Sequence, residues 1–310
     1  MNLHNNKTEF QELITLTAND KNIPESAVER DYFIVRALLF LSKSEYVKSC
    51  VFKGGTSLSK CYPGSIERFS EDIDLTYIPE EGMSDKQIER RLKSIEKIMT
   101  VDSSTEIIRG ERNQRNKSTY FWCDIPDNRI KLEIGSSVRP EPYASRTMKS
   151  YIQEYLEENG YESVVEEYEL TTVTMNVLNI ERTFIDKIMS VKRHSICGSI
   201  NSKARHIYDV TRLFNLPEIE SFLQDKQELK RLIKLTKQTD SIYFEKRNIP
   251  ESYNPTGPYA FSDWKSDFLR AKEVYEHLHE QLLYTDEQQQ FSEAIKVFEQ
   301  IDVLLKEIGE

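Results

Sequence analysis

A chain of 310 residues, 38% of them hydrophobic, can bury a sizeable core and is long enough for two structural regions or one large domain. It has no apolar run long enough to cross a bilayer, and its net charge of −10 counts against sequence-independent coating of nucleic acid, which rests on neutralising phosphates. Four scattered cysteines without metal-ligand spacing, and a polar start without a leader pattern, argue against a zinc site or disulfide framework and point to a reducing cytoplasm.

In chain order, residues 8–18 and 25–42 read as helices. The second opens with Pro24-Glu25-Ser26 and repeats Val28, Tyr32, Val35, Leu38, Leu39 and Ser42 at helical spacing, so it packs beneath the strand of the candidate site. Its charged trio Glu29-Arg30-Asp31 reads as surface, with reach into a site as the alternative. Cys50 to Lys53 reads as a short strand leading into Gly54-Gly55-Thr56-Ser57 and the start of a helix. Two glycines permit backbone angles that a side chain forbids, and bare amides at a helix N-terminus beside Thr56 and Ser57 make a seat for phosphate. The run Arg68-Phe69-Ser70-Glu71-Asp72-Ile73-Asp74-Leu75 then alternates, with Ile73 and Leu75 on one face and Asp72 and Asp74 on the other. Adjacent carboxylates repel unless a cation joins them, and Mg²⁺ binds through one or two carboxylates plus substrate phosphates. A phosphate cradle followed by a metal-holding strand is the front half of a nucleotidyltransferase site. Alone, each piece is weak: the turn lacks the ending of a P-loop, and most acidic pairs in a chain with 52 acids are solvated. Their order, short separation and alternation carry the joint reading.

A helix from Ser84 to about Met99 buries Ile88, Leu92, Ile95 and Ile98. Strand-like segments come next at 104–109, 118–125 and 129–138. The last puts Ile130, Leu132 and Ile134 inside and Lys131 and Glu133 on the opposite face. Glu133 would complete an acidic triad, as ligand of a second metal or as proton acceptor. An exposed charged face of an edge strand is the open alternative. Pro140 and Pro142 mark the exit from the sheet, before an acidic helix at 148–159 and a strand near 171–177. From Ile180 nearly everything reads as helix: Glu181–His194, Ser202–Phe214, 218–237, 262–284 and 287–308, with a proline- and tyrosine-rich loop at 247–260. His277 and His279 read as surface residues. Basic residues gather at Arg109, Arg112, Arg115 and Lys117, and again at Arg182, Lys187, Lys192, Arg193, Lys203 and Arg205. That suits a basic face for RNA or nucleotide, although such runs are usually solvated. The chain thus reads as two regions: a nucleotidyltransferase α/β region with N-terminal helices over 1–178, and a helical region over 179–310 completing the active-site cleft.

Lys53-Gly54-Gly55-Thr56-Ser57-Leu58-Ser59-Lys60, followed by Arg68 to Leu75, resembles the AbiEii/AbiGii toxin nucleotidyltransferases of type IV toxin–antitoxin and phage-abortive systems, the MenT-like toxins among them. Supporting matches are Glu29-Arg30-Asp31-Tyr32, Lys131-Leu132-Glu133, Arg182-Thr183-Phe184-Ile185-Asp186-Lys187 and Arg205-His206-Ile207-Tyr208-Asp209. The resemblance implies an α+β, DNA polymerase β-like nucleotidyltransferase fold: a mixed sheet with flanking helices, then a C-terminal helical region. It implies that nucleotide binds along Lys53 to Ser57, chiefly at Gly55 and Ser57. Asp72 and Asp74 would ligate Mg²⁺ (or Mn²⁺), with Glu133 as the third acid where several relatives carry Asp. Lys187 would contact nucleotide phosphates, and Asp209 would orient that lysine or the incoming base. A solvated helix lysine and a helix salt bridge to Arg205 are the plainer readings of these two. The resemblance further implies a nucleoside triphosphate substrate, transfer to the 3′ acceptor end of tRNA that blocks aminoacylation, and a cognate antitoxin. Two other readings stand beside it: the same site with transfer to a protein or small molecule, and a degenerate, non-catalytic nucleotide- or antitoxin-binding module whose helical half carries the interaction.

Overall fold

The alternation of strand and helix signals before residue 180 is realised in the computed structural model, which describes residues 1–310 apart from 124–125, 245–252 and 279–287 and the side chains of 242–244. The chain divides into two compact units, residues 1–61 with 69–178 and residues 62–68 with 179–310.

The first unit is built on helices α1 (Lys7–Lys21) and α2 (Glu25–Ser42), then strand β1 (Cys50–Lys53), helix α3 (Gly54–Cys61), strand β2 (Asp72–Tyr77) and helix α4 (Asp85–Met99). Strands β3 (Ser104–Ile107), β4 (Asn116–Trp122), β5 (Ile130–Gly135) and β6 (Tyr143–Met148) come next, then helices α5 (Tyr151–Glu158) and α6 (Glu162–Glu167) and strand β7 (Val173–Leu178). The seven strands form one sheet in the order β3-β4-β5-β2-β1-β7-β6. β2 runs parallel to β5 and β1 parallel to β7, and the other neighbours are antiparallel. The mixed sheet with flanking helices is the fold class that the sequence led us to expect. Alternation holds in β2 and β5, where Ile73, Leu75, Ile130, Leu132 and Ile134 are buried and the intervening residues are not fully so. α4 starts in a capping box between Ser84 and Gln87 and buries Ile88, Leu92, Ile95 and Met99.

Pro140 and Pro142 do not end the sheet. The chain re-enters it as β6, which pairs with β7 from Tyr143↔Leu178 to Met148↔Val173. β6 is an edge strand buried only at Met148, so it carries none of the apolar alternation that would reveal it. The acidic helix is correspondingly shorter than expected and begins at Tyr151, capped by Ser150.

The trio on α2 also departs from its surface reading. Asp31 is buried, and its Oδ1 lies 2.8 Å from Lys60 Nζ at the end of α3. Its Oδ2 accepts from the Tyr151 amide at 2.6 Å, and Lys60 sits 3.9 Å from the centre of the Tyr151 ring. Arg30 pairs with Glu71, immediately before Asp72, and Asn128 donates to Glu29. α2 therefore grips both the helix that begins at the glycine turn and the strand that carries the aspartates. Asp31→Ala would strand the Lys60 charge beside Glu154 (3.8 Å) and the tyrosine ring. We expect a loss of about 3 kcal/mol in urea unfolding, the usual cost of breaking a buried pair from one side.

In the second unit the described helices are α7 (Ile180–Ile196), α8 (Ala204–Phe214), α9 (Pro217–Gln224), α10 (Lys226–Phe244), α11 (Phe261–Phe268), α12 (Lys272–Glu276) and a last one over Phe291–Glu307. An aromatic cluster of Tyr259, Phe261, Trp264, Phe268 and Phe298 packs α11 on the last helix. Trp264 Nε1 donates to the Tyr259 carbonyl at 2.8 Å, so the ring is buried with its polar atom satisfied. His277 is exposed, as expected. His279 and part of the 247–260 loop lie outside the described residues. No helix among the described residues is long and apolar enough to cross a membrane.

Candidate active site

β1 ends at Lys53 and α3 begins at Gly54 with no residue between them. The change of direction is possible because Gly54 sits at φ +86°, where an L side chain is strained. A Cβ at Gly54 would also stand 2.2 Å from Asp74 Oδ2. The missing side chain is what lets this carboxylate lie against the turn. Thr56 Oγ1 donates to the Asp72 carbonyl, and Ser57 Oγ donates to the Gly54 carbonyl at 2.9 Å. Both side chains are buried. The first hydroxyl ties the turn to β2 from the inside, and the second closes the turn on itself. What the turn can offer a phosphate is backbone: first-turn amides have no intrahelical acceptor and lie at the positive end of the helix dipole.

Gly54→Ala tests this seat. The strained φ costs about 1–2 kcal/mol, while the new methyl group forces Asp74 to rotate away. Because a carboxylate yields more easily than backbone, activity is expected to suffer more than folding. Nucleotide transfer should fall by about 10²-fold, the usual effect of a 1 Å misplacement, in a protein that still unfolds cooperatively on heating.

Register assembles the rest of the face. Lys53 lies opposite Asp74, Asp74 opposite Glu133, and Asp72 opposite Lys131. Such cross-strand partners stand about 4.8 Å apart and point the same way. The structure thus brings Asp72, Asp74 and Glu133 onto one half-buried face, with Lys53 and Lys131 among them. The Glu133 carboxylate lies 3.3 Å from Lys131 Nζ, and Glu111 lies 2.7 Å from the same nitrogen. Burial alone would lower the Lys131 pKa, but Glu111 and Glu133 outweigh it and raise it, so the amine stays protonated. Among the described residues no three histidine, cysteine, aspartate or glutamate side chains gather as a metal cage. Mg²⁺ or Mn²⁺ on a nucleotide does not need one, since phosphates supply much of the shell. Asp72 and Asp74, hard oxygen donors on one half-buried face with Asp74 seated against the turn at Gly54, fit such an ion.

The second unit holds the other two expected residues together. Asp209 on α8 is wholly buried and accepts from Arg68 through both oxygens, at 2.6 Å from Nε and 2.7 Å from the terminal nitrogen. Its Oδ2 is also 2.7 Å from Lys187 Nζ on α7. Among the described residues the carboxylate is engaged across the fold by these two cations, not along α8 by Arg205. Lys187 is 4% exposed, so the solvated-lysine reading does not hold either. Burial alone would raise the Asp209 pKa, yet Arg68 and Lys187 hold it below the ordinary carboxylate value. Nearby, His206 has a buried Nδ1 without a hydrogen-bond partner among the described residues. Burial, with Lys187, Lys203 and Arg68, pushes its pKa well below the usual value and keeps the ring neutral at pH 7.

The family profile of the nucleotidyl transferase AbiEii toxins of type IV TA systems matches residues 36–302. The chain belongs to this family. No curated protein sequence matches it. Among solved structures it is similar to MenT4, a nucleotidyltransferase toxin from Mycobacterium tuberculosis H37Rv, at 16% identity and a TM-score of 0.49, over 95% of this chain and 98% of that one. It is similar to JHP933 from Helicobacter pylori at 19% identity and a TM-score of 0.39, over 83% of this chain and 95% of that one.

For this AbiEii-family chain, sequence reasoning gave no role to Arg68 or Lys131. Both were visible: Arg68 opens the motif that ends in Asp72 and Asp74, and Lys131 alternates onto the same face as Glu133. The basic cluster at 109–117 is mostly matched from within. Arg112 pairs with Glu96 at 2.9 Å, Arg115 with Asp85 at 2.6 Å and Lys117 with Glu89 at 3.3 Å, all acids of α4. In the second cluster Arg182, Lys187 and Lys192 are buried, with Arg182 paired to Asp186, and Arg193 pairs with Asp240.

Proposed function

We propose that this toxin-family nucleotidyltransferase moves a nucleoside monophosphate from a nucleoside triphosphate to the 3′ acceptor end of tRNA, in a reaction dependent on a divalent metal, and so blocks translation. The observation that carries the reading is the Asp74 carboxylate packed into the space left by Gly54, which unites an acidic strand with a turn whose amides suit phosphate. Asp72 and Asp74 would hold Mg²⁺ or Mn²⁺, which when bound neutralises the triphosphate and eases departure of pyrophosphate. The first-turn amides of α3 hold phosphate oxygens and fix the α-phosphorus in line with the attacking hydroxyl. The hydroxyl oxygen forms the new bond to that phosphorus, the bond to pyrophosphate breaks, and the hydroxyl proton leaves to water or a carboxylate. Within the second unit, Asp209 fixes the Lys187 ammonium. Glu133 is the third acid of the face. A cognate antitoxin belongs to the proposal, because the family is one of type IV toxin–antitoxin systems.

The test incubates the chain with each α-labelled nucleoside triphosphate, Mg²⁺ and total tRNA. Label is expected in tRNA from at least one nucleotide and is expected to vanish with Asp72→Asn. Transfer from none of the four, or transfer untouched by Asp72→Asn, overturns the reading. Label in protein or a small molecule instead of tRNA overturns the acceptor and keeps the chemistry.

A further inference from the structure

The acidic face carries a cation of its own. We infer that Lys131 takes Glu133 out of metal coordination, so that the site holds one divalent ion with its nucleotide, on Asp72 and Asp74, and none on Glu133. The inference rests on the nucleotidyltransferase reading above and concerns how that site is charged.

Lys131 and Glu133 are two residues apart on β5 and share the face that Asp72 and Asp74 occupy on β2. A lysine stem spans that repeat easily, and its ammonium reaches Glu133 at 3.3 Å while resting on Glu111 at 2.7 Å. Lys131 is the least exposed of the three side chains, at 22% against 41% for Glu133 and 45% for Glu111. The amine is therefore lodged between two carboxylates, and it stands opposite Asp72 in the register. A second divalent ion at Glu133 would have to dislodge it or share its carboxylate. Like charge at such range disfavours sharing, and displacement would leave a half-buried ammonium without Glu133. The gathering of acids fits this arrangement, since among the described residues no third carboxylate joins two others in a cage. Lys131 is thus a positioning residue, holding Glu133 and adding one fixed positive charge beside Asp72.

Ion counting tests it. The full chain is titrated with Mn²⁺ in the presence of each of the four α,β-imido nucleoside triphosphates, and bound ion is read from loss of the free Mn²⁺ electron paramagnetic resonance signal. The wild-type chain is expected to bind one Mn²⁺ per chain, lost in Asp72→Asn/Asp74→Asn. Lys131→Met, or Lys131→Gln should the methionine variant not fold, is expected to gain a second ion. Adding Glu133→Gln is expected to remove it again. Two ions on the wild-type chain, or a single ion on the lysine variants, overturns the inference and leaves the transfer reading standing. No ion with any of the four nucleotides overturns both.

Discussion

Asp74→Asn is expected to lower nucleotide transfer by about 10²–10³-fold, the size of effect seen when one preorganised charge-stabilising group is lost. Asparagine keeps the shape that lies against Gly54, so the turn and β2 keep their geometry. What disappears is one negative charge and one hard oxygen donor. Initial rates of label transfer measure the loss, and thermal unfolding beside them shows whether the chain is intact. Raising Mn²⁺ is not expected to restore more than a small part of the rate, because the amide remains a poor ligand for a hard cation. A variant within about threefold of the wild-type rate would remove Asp74 from the chemistry and with it the joint reading of turn and strand.

Asp209→Ala is expected to have the largest effect on stability, about 3–5 kcal/mol in urea unfolding. The reason is arithmetic of charge: one buried carboxylate serves two buried cations, Arg68 and Lys187, which are 3% and 4% exposed. Removing it leaves both facing each other. Asp209→Asn is expected to behave similarly, since shape is retained and charge is not. The same residue gives a pH test. Its folded pKa is depressed, so the native state binds fewer protons here than the unfolded chain. That contribution to stability is fully present above the ordinary carboxylate value of about 4 and is lost as pH falls through the lower folded value. Wild-type and Asp209→Asn stabilities should therefore converge as pH is lowered below about 4 and run parallel above it. Parallel curves throughout would mean that Asp209 is not held as an anion.

How far the sequence could be read depended on whether a residue's partner was local. β2 and β5 were legible because alternation needs only the strand itself, and the Gly54-Gly55 turn because positive φ is a property of one residue. Asp31 was misread because its partner, Lys60, lies elsewhere in the chain, and a lone aspartate on a helix looks like surface. Asp209 had a local candidate in Arg205, four residues away, but its carboxylate went to Arg68 and Lys187 instead. Periodicity cannot report such a choice, since it says which face a residue occupies and not what packs on that face. β6 escaped notice for the converse reason: at the edge of the sheet it buries too little to write a pattern. Thr56 and Ser57 were placed correctly in the chain, but the number of donors in a turn does not reveal whether they point to a ligand or back to the backbone.

The pairing of Arg112, Arg115 and Lys117 with the acids of α4 has a kinetic consequence. A charge already matched at close range casts little field beyond a Debye length, about 8 Å at physiological ionic strength. A polyanion approaching that surface is not steered by it, so encounter there will proceed near the unassisted rate of about 10⁵–10⁶ M⁻¹s⁻¹. Few counterions will be released on docking against these residues, and affinity will decline only gently as salt is added.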